Sequence, residues 1–213
     1  LEVCSAFGGR YSLKVKDVIK SSFHILKERN YFKKLLCYDK LIYLFVLGYI
    51  VIISWLSVSK HNSFGTFAWD LGSYEQSLWS TLNYGKLFWN TPNFGHLHIH
   101  FDPVLFLVLP VYAMYQSPAT LLVLQSVVVG LSAIPVYWIA KKEFNNHELG
   151  FFFSLVYLVQ PLLLSVQSFD FHTEAFMPLF LILTLYYLKE KRPAFHFLFF
   201  FLALMCKETV SLV

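Results

Sequence analysis

The chain has 213 residues, 57% of them hydrophobic, 19% aromatic and only 14% charged, with a formal net charge of +4. So little polar surface excludes a dispersed soluble domain of this length; the composition, with 23 Phe, is that of an integral membrane protein. Cys4, Cys37 and Cys206 fall in no CxxC or Cys/His finger spacing, so neither a disulfide framework nor a structural zinc site is indicated.

Residues 1–40 carry nine of the seventeen basic residues against four acids. Val15, Val18, Ile19, Phe23 and Leu26 recur there at helical intervals. The pattern predicts an interfacial amphipathic helix held to anionic headgroups on the cytoplasmic side, with a nucleic-acid-binding arm as the weaker reading; no nucleic-acid partner is expected. The first long apolar run begins only at Leu41, so no cleavable signal peptide is expected. A Leu at position 1 and an apolar run ending at Val213 read as a fragment of a longer multi-spanning protein.

Residues 41–213 read as the transmembrane part. Crossing a bilayer in helix takes about 20 apolar residues. Leu41–Ser59, Pro118–Ala140, Leu149–Val166, Phe171–Leu188 and the run from Phe195 onward meet that requirement. They predict an all-α polytopic bundle of about five spans. The apolar stretch 103–115 is only about 20 Å long as a helix and holds Pro110, so it is expected as a short helix that does not cross. With that assignment Lys141, Lys142, Lys189, Lys191 and Arg192 join residues 1–40 inside, and Lys60 and Lys86 alone lie outside, as the positive-inside rule demands. The expectation is a multi-pass plasma-membrane protein with a cytoplasmic N-terminus. The loop 60–102 and the turn 167–173 then share the outer side.

The loop contains WDLGSYEQSLWSTLNYG, Trp69–Gly85, in which Leu71, Tyr74, Leu78, Trp79 and Leu82 form one apolar stripe of an amphipathic helix. Asp70 is either its N-cap or a catalytic carboxylate held at a helix start. In HLHIHFDP, an extended chain would turn His96, His98, His100 and Asp102 to one side, as a metal or phosphate site or as polar groups near lipid headgroups. SFDFHTE repeats the alternation with Asp170, His172 and Glu174; capping by Thr173 or Asp170 explains one acid and leaves the cluster over. In ALMCKETVSLV, Lys207 and Glu208 fall inside an apparent span, about 22 Å from Arg192 along a helix. Intramembrane charges need partners, and Glu208, the helix neighbour, points elsewhere. Lys207 is therefore expected to turn toward Asp170 or Glu174, and Asp70 and Asp170 are expected to meet in one site.

These clusters set acids for activating an acceptor or holding a divalent cation (Mg or Mn) opposite a lysine and histidines for phosphate. They suit group transfer from a membrane-anchored phosphate donor; no Gly-rich phosphate loop favours a soluble nucleotide. WDLGSYEQSLWST, HIHFDP, SPATLLVLQS, SFDFHTE and CKE, in this order, resemble a family of archaeal and bacterial membrane proteins catalogued as domain of unknown function twenty-seventy-nine, from about Leu41 onward. That family is similar in turn to the GT-C superclass of glycosyltransferases, which includes protein mannosyltransferases.

The resemblance implies a GT-C-like fold and a polyprenyl-phosphate-linked sugar as donor, with a hexosyl or pentosyl group passing to an acceptor glycan, lipid or protein. By position it makes Asp70 the general base or a metal ligand and Asp170 the second acid. With the residue reading, Glu174 joins Asp170 as a metal- or acceptor-orienting acid, and Asp70, Asp102 and Asp170 are the candidate metal ligands. Lys207, His98, His100, His172 and Glu208 are the candidate phosphate-binding groups. The rival readings are a transporter using Lys207, Glu208 and the acids as a path, and a non-catalytic membrane scaffold.

Overall fold

The computed structural model describes residues 38–90, 95–98 and 100–207, with His98 by its backbone alone. The amphipathic helix expected within residues 1–40 and the site residue Glu208 lie outside the described residues, as does the His98 side chain. The chain divides into two units at Leu41/Ile42, and the site lies wholly in the second.

Every regular element among the described residues is helical; one isolated bridge joins Trp89 and Gly95. The first helix, α1 (Tyr38–Asn62), is long and apolar enough to cross a membrane. It is followed by α2 (Asp70–Tyr84) and α3 (Leu105–Met114). Next come α4 (Pro118–Leu131) and α5 (Ala133–Glu143), which together make a second helix of spanning length. Ser132 marks the junction; its Oγ meets the Tyr157 hydroxyl at 2.8 Å. Helices α6 (His147–Val159) and α7 (Pro161–Ser168) form a pair bent by 46°, a third span if taken as one. The bend falls where Pro161 has no amide to donate. The chain closes with α8 (Met177–Lys189) and α9 (Pro193–Leu204).

Large apolar side chains face outward along α1, among them Leu44, Leu47, Val51, Ile52 and Trp55, and along α9, among them Phe197, Leu198 and Phe201. Such faces suit hydrocarbon, and two helices, or three if the bent pair is one, are long and apolar enough to cross a membrane, against the five spans expected. The Ile50 side chain of α1 packs onto the α4 backbone at Gly130, where a Cβ would lie 2.5 Å from Ile50 Cγ1. Small residues permit such contacts between membrane helices.

Helix α3 has 10 residues, about 15 Å, with Pro110 inside it, and is too short to cross. The final run differs from expectation. Helix α9 stops at Leu204, about 18 Å after its start, and the Met205 carbonyl accepts the Val104 amide at 2.9 Å. Lys207 thus stands in the turn beyond the helix end and not within a helical span.

Charged groups gather at two ends. Lys142 pairs with Glu190 and Lys189 with Glu143, each at 2.5 Å, joining the α5–α6 and α8–α9 turns. At the far end of α6–α7, Lys60 Nζ lies 3.0 Å from the Ser168 carbonyl and 3.2 Å from Asp170 Oδ1. The 22 residues from His147 to Ser168 would rise about 33 Å if straight, close to the thickness of a hydrocarbon core. In a cysteine-free background, Asn145→Cys and Ser168→Cys should therefore react with impermeant thiol reagents from opposite sides of sealed vesicles. Labelling of both from one side would refute this arrangement.

Candidate functional site

Helix α2 forms because its apolar residues share one stripe: Leu71, Tyr74 and Leu78 are buried, and Trp79 and Leu82 pack against the same core. Gly85 ends it in the left-handed region, φ 65°, where glycine carries no steric penalty. Asp70 does not cap the helix. Trp69 holds the cap position with helical dihedrals and no side-chain bond, so Asp70 is the first helical residue. Its carboxylate is left to line a cavity of about 670 Å³.

The polar wall of that cavity includes Asp70, His96, His100, Asp102, His172, Thr173, Glu174 and Lys207. Val129, Leu163, Val166, Phe169 and Pro178 supply an apolar wall. Four stretches separated in sequence thus meet around one space, and each is carried by a different local structure.

SFDFHTE is not uniformly extended, because Thr173–Phe176 form a 3-10 turn. Asp170 and Glu174 consequently part. The Asp170 side chain is fully buried and does not line the cavity. It takes Lys60 Nζ on Oδ1 and the Phe67 amide, at 2.5 Å, on Oδ2. Glu174 Oε1 pairs with Lys207 Nζ, so of the two acids expected for Lys207 the structure selects Glu174. His172 Nδ1 donates to the Asp170 carbonyl at 3.0 Å, which turns Nε2 toward Asp70 Oδ1, 3.9 Å away. Buried Gln125 of α4 holds the turn from beneath: its Nε2 donates to the Val166 carbonyl and its Oε1 accepts the His172 amide at 2.9 Å.

HLHIHFDP also departs from extended chain, with His96–His98 in a 3-10 turn. His96 is 3% exposed and directs Nε2 to Asp102 Oδ2 at 3.1 Å, while Thr173 Oγ1 donates to the same oxygen at 3.0 Å. His100 stays exposed and lines the cavity. The rings of His172, Tyr74, His96 and His100 follow one another at centroid separations of 6.0, 4.6 and 5.9 Å. Burial, reinforced by the charge of Asp102 and opposed by the Thr173 hydrogen bond, pushes the Tyr74 hydroxyl up to about 12.

These bonds engage two of the three acids expected to hold a cation. Asp170 is turned onto Lys60 and Phe67 and does not line the cavity, whereas Asp70 and Asp102 do, with Asp102 Oδ2 taken by His96 and Thr173. Among the described residues no three His, Cys, Asp or Glu are grouped to hold a metal ion. Lys60, Gln125, Tyr74 and Thr173 escaped the sequence reading as site residues. Only Gln125, a lone amide within an apolar span, carried a local signal.

Family comparison settles the chain's kinship. The family described as Predicted membrane protein (DUF2079) matches residues 60–213, which include all four stretches around the cavity. The chain belongs to this family. No curated protein and no solved structure matches it. The chemistry of this DUF2079 membrane protein therefore rests on the cavity itself.

Two outcomes test the construction of the site. Lys60→Met leaves the buried Asp170 carboxylate without its cation and should destabilise the detergent-solubilised protein by about 2–3 kcal/mol, a figure below that of a fully buried pair because Lys60 is about one-third exposed. Adding Asp170→Asn should recover part of that loss in melting temperature. The Tyr74 phenol is raised above its ordinary value of 10.0, so the folded state keeps a proton that the unfolded chain loses. Its stabilising contribution is complete below about pH 10 and declines as pH rises toward about 12. Tyr74→Phe should show a shallower fall in melting temperature across that interval.

Proposed function

We propose that the chain carries the catalytic site of a GT-C-like membrane glycosyltransferase that takes its sugar from a polyprenyl phosphate. The supporting observation is one cavity lined by carboxylates, a lysine and histidines together with apolar residues such as Val129, Leu163 and Val166. That combination matches a donor whose one end is a charged phosphate and whose other is hydrocarbon. The proposal includes about five spans, a cytoplasmic N-terminus and a plasma-membrane site facing the extracytoplasmic side. Lys60, at the site end, is the one lysine of α1's exit, while Lys141, Lys142, Lys189, Lys191 and Arg192 cluster at the other end.

In the proposed step an acceptor hydroxyl attacks the anomeric carbon. A new carbon–oxygen bond forms as the bond to the phosphate oxygen breaks, and polyprenyl phosphate leaves with the electron pair. Asp70 takes the acceptor's proton, with the His172 ring on the same wall, its Nε2 3.9 Å from Asp70 Oδ1. Lys207, released in part from Glu174, neutralises the phosphate, and His100 supplies a second donor on the same wall. Glu174 keeps Lys207 in place between turnovers. Asp170 acts at one remove, by fixing the turn that bears His172 and Glu174.

The bend at Pro161 favours a second reading, transport, because broken helices beside a polar cavity also build substrate paths. The experiment is turnover of lipid-linked sugars by the full-length protein in defined membranes. Asp70→Asn should lower the rate about 10²–10⁴-fold with donor binding retained. Lys207→Met should weaken binding of decyl phosphate about 10–100-fold while the protein stays folded, since Met fills a similar volume. Movement of a sugar phosphate across sealed vesicles with no glycosidic product would establish the transport reading instead.

A further inference from the structure

Two aromatic side chains stand open beside the carboxylate given the central chemical task. Trp69 is 84% exposed and Phe169 48% exposed, and both line the cavity. Trp69 immediately precedes Asp70, and the Phe169 ring lies 5.2 Å from the ring of His172. His172 Nε2 is in turn 3.9 Å from Asp70 Oδ1, so the two aromatics flank one carboxylate–imidazole contact. Neither belongs to the apolar core of the bundle.

The backbone beneath both rings is tied down. The Phe67 amide, two residues before Trp69, is bonded to the buried Asp170 carboxylate at 2.5 Å, and Trp69 itself already has helical dihedrals at the start of α2. Phe169 is the chain neighbour of that same Asp170, and its ring meets the Phe67 ring at a centroid separation of 6.4 Å. An exposed tryptophan in a membrane protein ordinarily anchors the chain among lipid headgroups. Here it shares a cavity with Asp70, Ser73, Asn90 and Thr173, and that company suits a ligand that is polar at its edge and apolar on one flat face.

An acceptor hydroxyl has to come within about 3 Å of the Asp70 carboxylate to give up its proton, so the group that carries it lies beside Trp69 and Phe169. A seryl or threonyl side chain brings a hydroxyl but no flat face. A phosphorylated acceptor brings negative charge to a cavity that already holds Asp70, Asp102 and Glu174. A pyranose meets both demands, with hydroxyls around its edge and a face of C–H groups whose positive polarisation suits the negative face of an aromatic ring. We propose that Trp69 and Phe169 form a stacking site for a sugar ring of the acceptor, which makes the acceptor a glycan. The assignment to the acceptor rests on the glycosyltransferase reading above. The donor then keeps to Lys207 and the aliphatic lining, while the acceptor ring lies at the aromatic edge with one hydroxyl on Asp70.

The test uses the full-length protein in nanodiscs, with the methyl glycosides of glucose, galactose, mannose and N-acetylglucosamine and with decyl phosphate as separate probes. Binding is read by saturation-transfer NMR, and Trp69 emission is isolated by subtracting the spectrum of Trp69→Phe. At least one glycoside should bind, with saturation strongest at its ring C–H protons, and Trp69→Ala should weaken it about tenfold or more. Trp69→Phe should hold that affinity within about threefold of wild type, and decyl phosphate affinity should stay within about twofold in both variants. Phe169→Leu, which keeps apolar bulk and loses the ring, should weaken the same glycoside about threefold or more; Trp69, being mostly exposed, decides the matter should that variant not fold. The proposal is overturned if no glycoside binds, if Trp69→Ala leaves glycoside binding unchanged, or if it weakens decyl phosphate equally. Quenching of Trp69 emission by brominated phosphatidylcholine, with no response to any glycoside, makes the residue a lipid anchor and overturns it too. In turnover, Trp69→Ala should raise KM for the acceptor; a rise for the lipid-linked donor alone places the ring on the donor and overturns the assignment. Transfer to a non-carbohydrate acceptor, indifferent to Trp69→Ala, overturns the proposal and leaves the transferase standing. Trp69-dependent glycoside binding without turnover of any lipid-linked sugar upholds the stacking site and removes the transferase.

Discussion

A carboxylate with no exposed surface has to be met by a cation and by amides, and at Asp170 that requirement organises one whole end of the molecule. Lys60 reaches it from the end of α1 and the Phe67 amide from the loop beyond. The same lysine binds the Ser168 carbonyl, where α7 finishes. Pieces of chain separated by more than 100 positions are tied at one point. In a low-dielectric setting an uncompensated charge there would cost several kcal/mol, so the alternatives are a closed junction or a different fold. Gln125 completes it from α4 by bonding to the carbonyls on either side of Phe169 and to the His172 amide. The segment just past the junction, His172 to Glu174, is delivered to the cavity with little freedom left.

Two short 3-10 turns give the cavity its chemistry. Each tightens a segment whose sequence alternates polar and apolar, and each sends neighbouring polar groups in different directions. One side of each segment goes into a buried network: Asp170 with Lys60, and His96 with Asp102 and Thr173. The other side, His172, Glu174 and His100, is left on the cavity wall. Tyr74 stands between them, with its ring against His96 and its hydroxyl 3.4 Å from Thr173 Oγ1. The buried polar groups hold their neighbours at the wall, in the manner of a rigid support beneath a reactive surface.

The all-helical character was legible from periodicity and length, while two of the five expected spans came out shorter, α8 starting only at Met177 and α9 ending at Leu204. The stripe Leu71–Leu82 gave α2, and the length of 103–115 with its Pro110 gave a helix unable to cross. Lys207 could be read as needing an acidic partner because a charge in an apolar run cannot stay unpaired, and Glu174 is that partner. The features that escaped were those that depend on distant contacts. The alternation in HLHIHFDP and SFDFHTE looks the same in extended chain and in a 3-10 turn, and only tertiary bonds choose between them. Asp70 resembles an N-cap in every local respect, yet the chain begins the helix one residue earlier than a cap would allow. Lys60 looked like one of two charges left over outside; its meaning lies 110 residues away at Asp170.

The bend at Pro161 has a consequence for access. It sets α7 across the cavity so that Leu163 faces inward while Leu162, 79% exposed, faces away. On the proposed reading, a donor tethered in the bilayer would enter sideways past α7, by parting aliphatic contacts along eight residues and without drawing its hydrocarbon tail through water.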